Sequence, residues 1–147
     1  MALATQTAPS LAQKYPDVWV QSHVAENLDE IRWARSLFPR SSSYLAIYDD
    51  FGLMRERAVY AHCIHFDDEE ISRLGEAGTA VAHCPTSNMR LGSGIAPIEG
   101  YLAAGVPVGL GVDGSASNDG GHLLAEARQA MLLARLATAL RRTDAAD

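Results

Sequence analysis

The chain has 147 residues, is 48% hydrophobic and 20% charged, and carries a formal net charge of −6. That length suits one domain with a real core, the composition excludes a wholly disordered chain, and the acidic balance speaks against sequence-independent nucleic-acid binding. No apolar run approaches the roughly 20 residues that cross a bilayer, the opening MALATQTAPSLAQKYPD lacks the basic and apolar regions of a secretory signal, and two cysteines fit a reducing, cytoplasmic setting.

Residues 2–14 are alanine-rich and predict an N-terminal helix or leader, with Pro16 as a stop. Residues 18–23 are short and β-prone, a strand ending at His23. Asn27 or Asp29 caps a helix over residues 30–38 that Pro39 closes, and residues 41–51 hold a second helical stretch ended by Gly52. Residues 58–63 form another apolar run, again with a histidine, His62, at its end. Asp67 precedes an acidic first turn that suits the helix dipole, read as a solvated helix start whose far end Gly75 and Gly78 bracket. Residues 79–84 predict a third strand, with His83 at its end and Pro85 beyond it. A glycine-bearing loop over residues 91–94 leads to a helix over about residues 96–104, capped by Gly105. Residues 106–113 predict a fourth strand ending at Asp113, and a helix from His122 to about Leu140 precedes a polar tail at 141–147.

Strands that are apolar on both faces and alternate with helices predict an α/β fold with a parallel sheet covered by helices. A closed barrel of eight β/α units takes about 250 residues, so four units amount to half of one. His23, His62, His83 and Asp113 each stand where a strand ends, the end at which parallel α/β folds place ligands and chemistry.

His23 is followed three residues later by Glu26. An imidazole can donate a lone pair to zinc while a nearby carboxylate shuttles protons; the alternative is a backbone-bonded histidine beside a helix-opening glutamate. Asp113 can ligate a metal or accept a proton, or it can be an ordinary turn aspartate before Gly114. His62 can contact a metal-bound water or be a satisfied core histidine. His83 and Cys84 are adjacent on a strand and point to opposite faces, so they do not serve one centre. Cys63 and Cys84 read as small apolar residues, and His65 and His122 as solvated. Gly109 and Gly111 do not make a dinucleotide fingerprint, and no Walker sequence or paired CxxC is present. Histidine with glutamate, then histidine, then aspartate on successive strands is the assortment that metal-assisted hydrolysis needs on one face.

Five stretches carry a family resemblance: VQSHVAEN (20–27), LFPRSSSYLAIYDDFGL (37–53), AHCIHF (61–66), HCPTSNMRLGSG (83–94) and GLGVDGSASNDGG (109–121). Together they resemble the amidohydrolase superfamily, in its guanine deaminase and 8-oxoguanine deaminase branch. The resemblance implies a distorted (β/α)8, TIM-like barrel of which residues 15–140 supply strands five to eight with their helices. It implies that His23 is a metal ligand, Glu26 the proton shuttle, His62 a contact to the hydrolytic water or substrate, and Asp113 both a ligand and a proton acceptor. Zinc is the implied metal, with iron an alternative. The implied chemistry is attack of metal-bound hydroxide on a ring carbon that bears an exocyclic amine, releasing ammonia, so the partner is a purine base or related aromatic heterocycle.

The first two motifs are most similar to guanine deaminases, implying conversion of guanine to xanthine. SNMRLGSGIAPI and GVDGSASNDGG are more similar to 8-oxoguanine deaminases and hydroxytriazine hydrolases, which stand as alternatives. The His-x-His pair with which these enzymes open their site is absent from the sequence, so the family's ligand set is represented only by His23 and Asp113. The chain is therefore expected to be a fragment that by itself neither binds zinc tightly nor turns substrate over. A non-catalytic half-barrel that self-associates into a homo-oligomer through open strand edges is the other reading.

Overall fold

A computed structural model describes Ala12 and residues 14–144. The predicted helix over residues 2–14 lies outside the described residues, apart from Ala12 and Lys14, which are helical. The elements run in the order β1 (Val20–Val24), α1 (Leu28–Leu37), α2 (Tyr44–Asp50), β2 (Ala58–His62), α3 (Asp68–Glu76), β3 (Ala80–His83), α4 (Pro85–Leu91), α5 (Ile98–Ala103), β4 (Val108–Leu110) and α6 (Leu123–Asp144).

Local chemistry accounts for most of these boundaries. Asn27, not Asp29, caps α1, its side chain accepting the Glu30 N–H, and Ser43 does the same for α2 through Ala46. Asp67 and Glu70 form a reciprocal capping box at α3. Glu70 is buried rather than solvated, and its second oxygen accepts the Leu45 N–H at 3.2 Å, fastening α3 to the start of α2. Asp67→Ala is expected to lower stability by about 1–2 kcal/mol, read from the urea midpoint, because one helix donor then loses its acceptor.

Gly75 does not end α3. It lies inside the helix, where the Ala104 carbonyl oxygen would stand 2.2 Å from an added Cβ, so the glycine is what admits the end of α5 against α3. Gly78, at φ +65°, makes the turn beyond the helix.

One helix falls where the sequence predicts only a strand stop and a loop. Pro85 lacks the N–H that a first-turn residue leaves unbonded in any case, so it opens α4, and Gly92 closes it at φ 68°. Conversely, β4 is shorter than predicted. Pro107 contributes only its carbonyl, which accepts the Val81 N–H at 2.8 Å, and regular pairing is confined to Val108–Leu110. The last helix runs on to Asp144, into the stretch expected to be a polar tail.

The four strands form one parallel sheet in the order β1-β2-β3-β4. Parallel crossovers are right-handed, so a sheet that always adds its next strand on the same side keeps its helices on one face. That is the wedge of a (β/α)8 barrel rather than a doubly wound sheet, in which the order reverses. Neighbouring helices pack in the same succession, α3 against α5 and α4 against α6. Between sheet and helices lies a core built from Val24, Ala34, Leu45, Tyr60, Leu74, Val81 and Tyr101. The Tyr60 hydroxyl donates to the Leu53 carbonyl and that of Tyr101 to the Cys63 carbonyl, and burial pushes both phenols above their ordinary range. No helix of the described residues is long and apolar enough to cross a membrane.

Candidate active site

The carboxyl ends of the strands carry the most unusual backbone among the described residues. Ala25, His62, Cys63 and Asp113 have φ of 52°, 69°, 47° and 63°, although none is glycine. Each such residue costs of order 1 kcal/mol and persists only where its surroundings hold it. Here the Ala25 carbonyl accepts the N–H groups of both Ile64 and His65, and the Val24 carbonyl accepts that of Cys63. These bonds clamp the ends of β1 and β2 and turn His62 toward His23.

His23, His62 and Asp113 each present a ligand atom within 4.8 Å of the others. His23 Nε2 lies 3.5 Å from Asp113 Oδ1, and His62 Nε2 lies 3.8 Å from Asp113 Oδ2 and 3.8 Å from Glu26 Oε2. The two imidazoles are tilted neighbours with ring centroids 5.3 Å apart. His23 is open to solvent while the His62 side chain is fully buried, so the cluster sits at the floor of an accessible rim.

Each member has its own support. His62 Nδ1 is 2.7 Å from Asn88 Oδ1, so Nδ1 carries the proton and Nε2 keeps its lone pair toward the cluster. That Nε2 is buried without a hydrogen-bond partner, a cost that a bound cation would remove. Asp113 Oδ2 accepts hydrogen bonds from Ser87 Oγ at 2.5 Å and Ser117 Oγ at 2.8 Å, which leaves Oδ1 facing His23. Desolvation pushes the Asp113 carboxyl upward, but the hydrogen bonds from Ser87, Ser117 and the Gly114 backbone outweigh it and hold it below the usual carboxylate range. Glu26 Oε1 accepts from Ser93 Oγ at 3.0 Å, and the Ser93 carbonyl accepts from His65 Nε2 at 3.0 Å, so His65 is tied to the site's rim rather than merely solvated.

A histidine, a second histidine and an aspartate on three different strand ends meet the count of three protein ligands that a catalytic zinc uses. The resemblance implies two donors, His23 and Asp113, and the fold brings His62 to within reach of both. The supporting residues Ser87, Asn88, Ser93 and Ser117 were not singled out by sequence reasoning. The signal that locates two of them is Pro85 followed by Gly92, a helix-start and helix-stop pair that places Ser87 and Asn88 on the turn just beyond β3.

His83 does not join the cluster. It is buried on the other side of the sheet end, lining a small cavity with Ile95, Ile98 and Leu133. Cys63 and Cys84 are buried free thiols, and burial raises both, Cys84 to about 11, which keeps them protonated and inert at neutral pH.

Fold and site together define a barrel-type α/β protein with histidines and carboxylates gathered at the carboxyl ends of three of its four parallel strands. The chain belongs to the amidohydrolase family, which it matches over residues 4–147. It is 54% identical over 121 residues to an 8-oxoguanine deaminase of Pseudomonas aeruginosa, covering 82% of this chain and 26% of that protein. It is 43% identical over 106 residues to the guanine deaminase of Escherichia coli, covering 72% of this chain and 24% of that protein. Among solved structures, E. coli guanine deaminase superposes with a TM-score of 0.88 at 36% identity, over 91% of this chain and 31% of that one. A guanine deaminase from C. acetobutylicum with guanine bound in its active site superposes with a TM-score of 0.85 at 38% identity, over 90% of this chain and 31% of that one. The chain thus spans about a quarter of the curated relatives it matches and about a third of these solved chains.

Proposed function

We propose that the chain carries the His23–Glu26–His62–Asp113 portion of the active site of a zinc-dependent deaminase acting on an oxopurine base, with guanine as the reference substrate. The observation that carries this reading is the convergence of those four side chains at the ends of three strands. His23 and Asp113 are the residues that would hold zinc, and His62 Nε2 stands beside them at the same centre, where it can meet the attacking water. Zinc, when bound, supplies Lewis acidity that brings the pKa of a water near neutrality.

The chain's own groups then have separable tasks. Asp113, kept anionic by its two serine hydroxyls, accepts a proton from the attacking water through Oδ1. Glu26, held by Ser93 on one oxygen, has its other oxygen free to carry the water's second proton to the substrate, while the proton on Asp113 passes to the departing amine. His62, its tautomer set by Asn88, fixes the position of the attacking water beside Glu26. The water oxygen bonds to the ring carbon, the carbon–nitrogen bond breaks, and the amine leaves as ammonia, so the sum is amine plus water giving carbonyl plus ammonia.

Identity of 54% to an 8-oxoguanine deaminase favours 8-oxoguanine as the second substrate reading. One construction separates the two. In a hybrid enzyme, residues 20–136 of this chain replace the matching segment of E. coli guanine deaminase, and ammonia release is followed with both bases. Turnover of guanine supports the first reading, and preference for 8-oxoguanine supports the second. A folded, zinc-replete hybrid that releases ammonia from neither base overturns both.

A further inference from the structure

Glu126 lies on α6, outside the cluster just described, and is 1% exposed. A carboxylate so deeply buried is costly unless its oxygens are bonded, and among the described residues it has no ion-pair partner. Both oxygens are instead used by the segments that carry the site's supports. Oε2 accepts the Thr86 N–H at 3.1 Å, at the first turn of α4. Oε1 accepts Asn118 Nδ2 at 2.8 Å, and the same Nδ2 donates to the Val112 carbonyl at 2.8 Å.

The neighbours of these anchor points are the residues that touch the cluster. Thr86 is followed by Ser87, which donates to Asp113, and by Asn88, which bonds His62. Asn118 is preceded by Ser117, which donates to the same Asp113 oxygen, and Val112 precedes Asp113 itself. We infer that Glu126 is a positioning residue: one buried carboxylate fastens the first turn of α4 to the β4–α6 loop and so sets Asn88 against His62, and Ser87 and Ser117 against Asp113. A carboxylate suits this task better than an amide, because both of its oxygens accept, whereas a glutamine would turn its NH2 toward one of the two donors.

The inference rests on the metal-site reading above, and its test is built to fail separately from it. The unaltered 147-residue chain, Glu126→Gln, Glu126→Ala and Leu133→Ala are compared. Leu133 is a buried residue of the same helix, and its truncation costs stability without touching the network. Zinc affinity is measured by competition with a chromogenic chelator, global stability by urea, and the His62 tautomer from its ring nitrogen shifts in the metal-free chain.

Loss of an outer-shell partner typically costs about 10–100-fold in metal affinity. The expected result is a loss of that order in Glu126→Ala, a smaller one in Glu126→Gln, and a mixed His62 tautomer in both. Leu133→Ala, despite its lower stability, keeps the affinity and the single tautomer of the unaltered chain. The inference is overturned if the Glu126 variants keep both properties, or if Leu133→Ala loses them equally. If the chain by itself binds zinc too weakly to rank the variants, as expected without the family's His-x-His pair, the tautomer measurement decides. A single His62 tautomer in the Glu126 variants then overturns the inference, and the metal reading is judged separately in the hybrid enzyme.

Discussion

Glu26→Gln in the hybrid deaminase is expected to lower kcat by about 10²–10⁴-fold, the range contributed by a positioned acid–base group, with KM and zinc content unchanged. The substitution is informative because it removes so little else. Glutamine keeps a carbonyl oxygen for the Ser93 hydroxyl, which now bonds Oε1 at 3.0 Å, and it fills the same volume 3.8 Å from His62. What it cannot do is take up a proton and return it. A structural role for Glu26, as the opening residue of the turn before α1, predicts near-normal turnover for this isostere. Zinc content by atomic absorption and steady-state ammonia release decide between them, and a kcat within threefold of the parent hybrid would remove Glu26 from the proposed proton path. Ser93→Ala is expected to act in the same direction and more weakly, because it frees the carboxylate without neutralising it.

The second large effect concerns stability in acid and belongs to His83. Burial pushes its pKa from the ordinary 6.5 down to about 4; the Glu126 carboxylate pulls the other way and His62 adds a smaller depression. The unfolded chain therefore takes up a proton near pH 6.5 that the fold refuses until about pH 4. Stability is undiminished above pH 6.5, falls as the pH drops through that window, and loses nothing more from this residue below about pH 4. The full loss is about 3 kcal/mol, from about 1.4 kcal/mol per pH unit. Asp113 acts in a different window: its folded carboxyl titrates below the ordinary 3.8, so its contribution is intact above that pH and disappears beneath it. Urea unfolding at pH 7, 5.5 and 4.5 should show the slope in the unaltered chain and a much flatter profile in His83→Met. Parallel profiles would mean that the fold hydrates or protonates His83 without penalty.

The sequence made the strands and their order legible because parallel strands buried on both faces read as short apolar runs between helix signals. It also brought His23, His62 and Asp113 to notice, since each stands at the end of such a run. His83 shows the limit of that reasoning. It has the same strand-end position and stands in register with His62, but its backbone stays regular and alternation sends it to the helix layer. The left-handed backbone at His62, φ 69°, instead turns that ring to the cluster. Helix α4 was missed because Pro85 suits a strand stop and a first helical turn equally well, and only the glycine seven residues later distinguishes them. With α4 went Ser87 and Asn88, and with the β4–α6 loop went Ser117 and Asn118. Glu126 stands 40 residues from Thr86 in the chain, and nothing local marks a glutamate in a long helix as buried. Such residues act through space, and their partners become visible only when the fold places them side by side.

The strand order has one more consequence, for the rate at which backbone amides trade protons with water. β2 and β3 are flanked on both sides, so all their amides point into a ladder, whereas β1 and β4 have a neighbour on one side only among the described residues. In a parallel ladder successive amides of a strand face opposite sides. Every second amide of an outer strand therefore exchanges at close to the rate of an open loop, while its immediate neighbour is held by the next strand. Deuterium uptake along β1 and β4 would alternate residue by residue, and along β2 and β3 it would be uniformly slow.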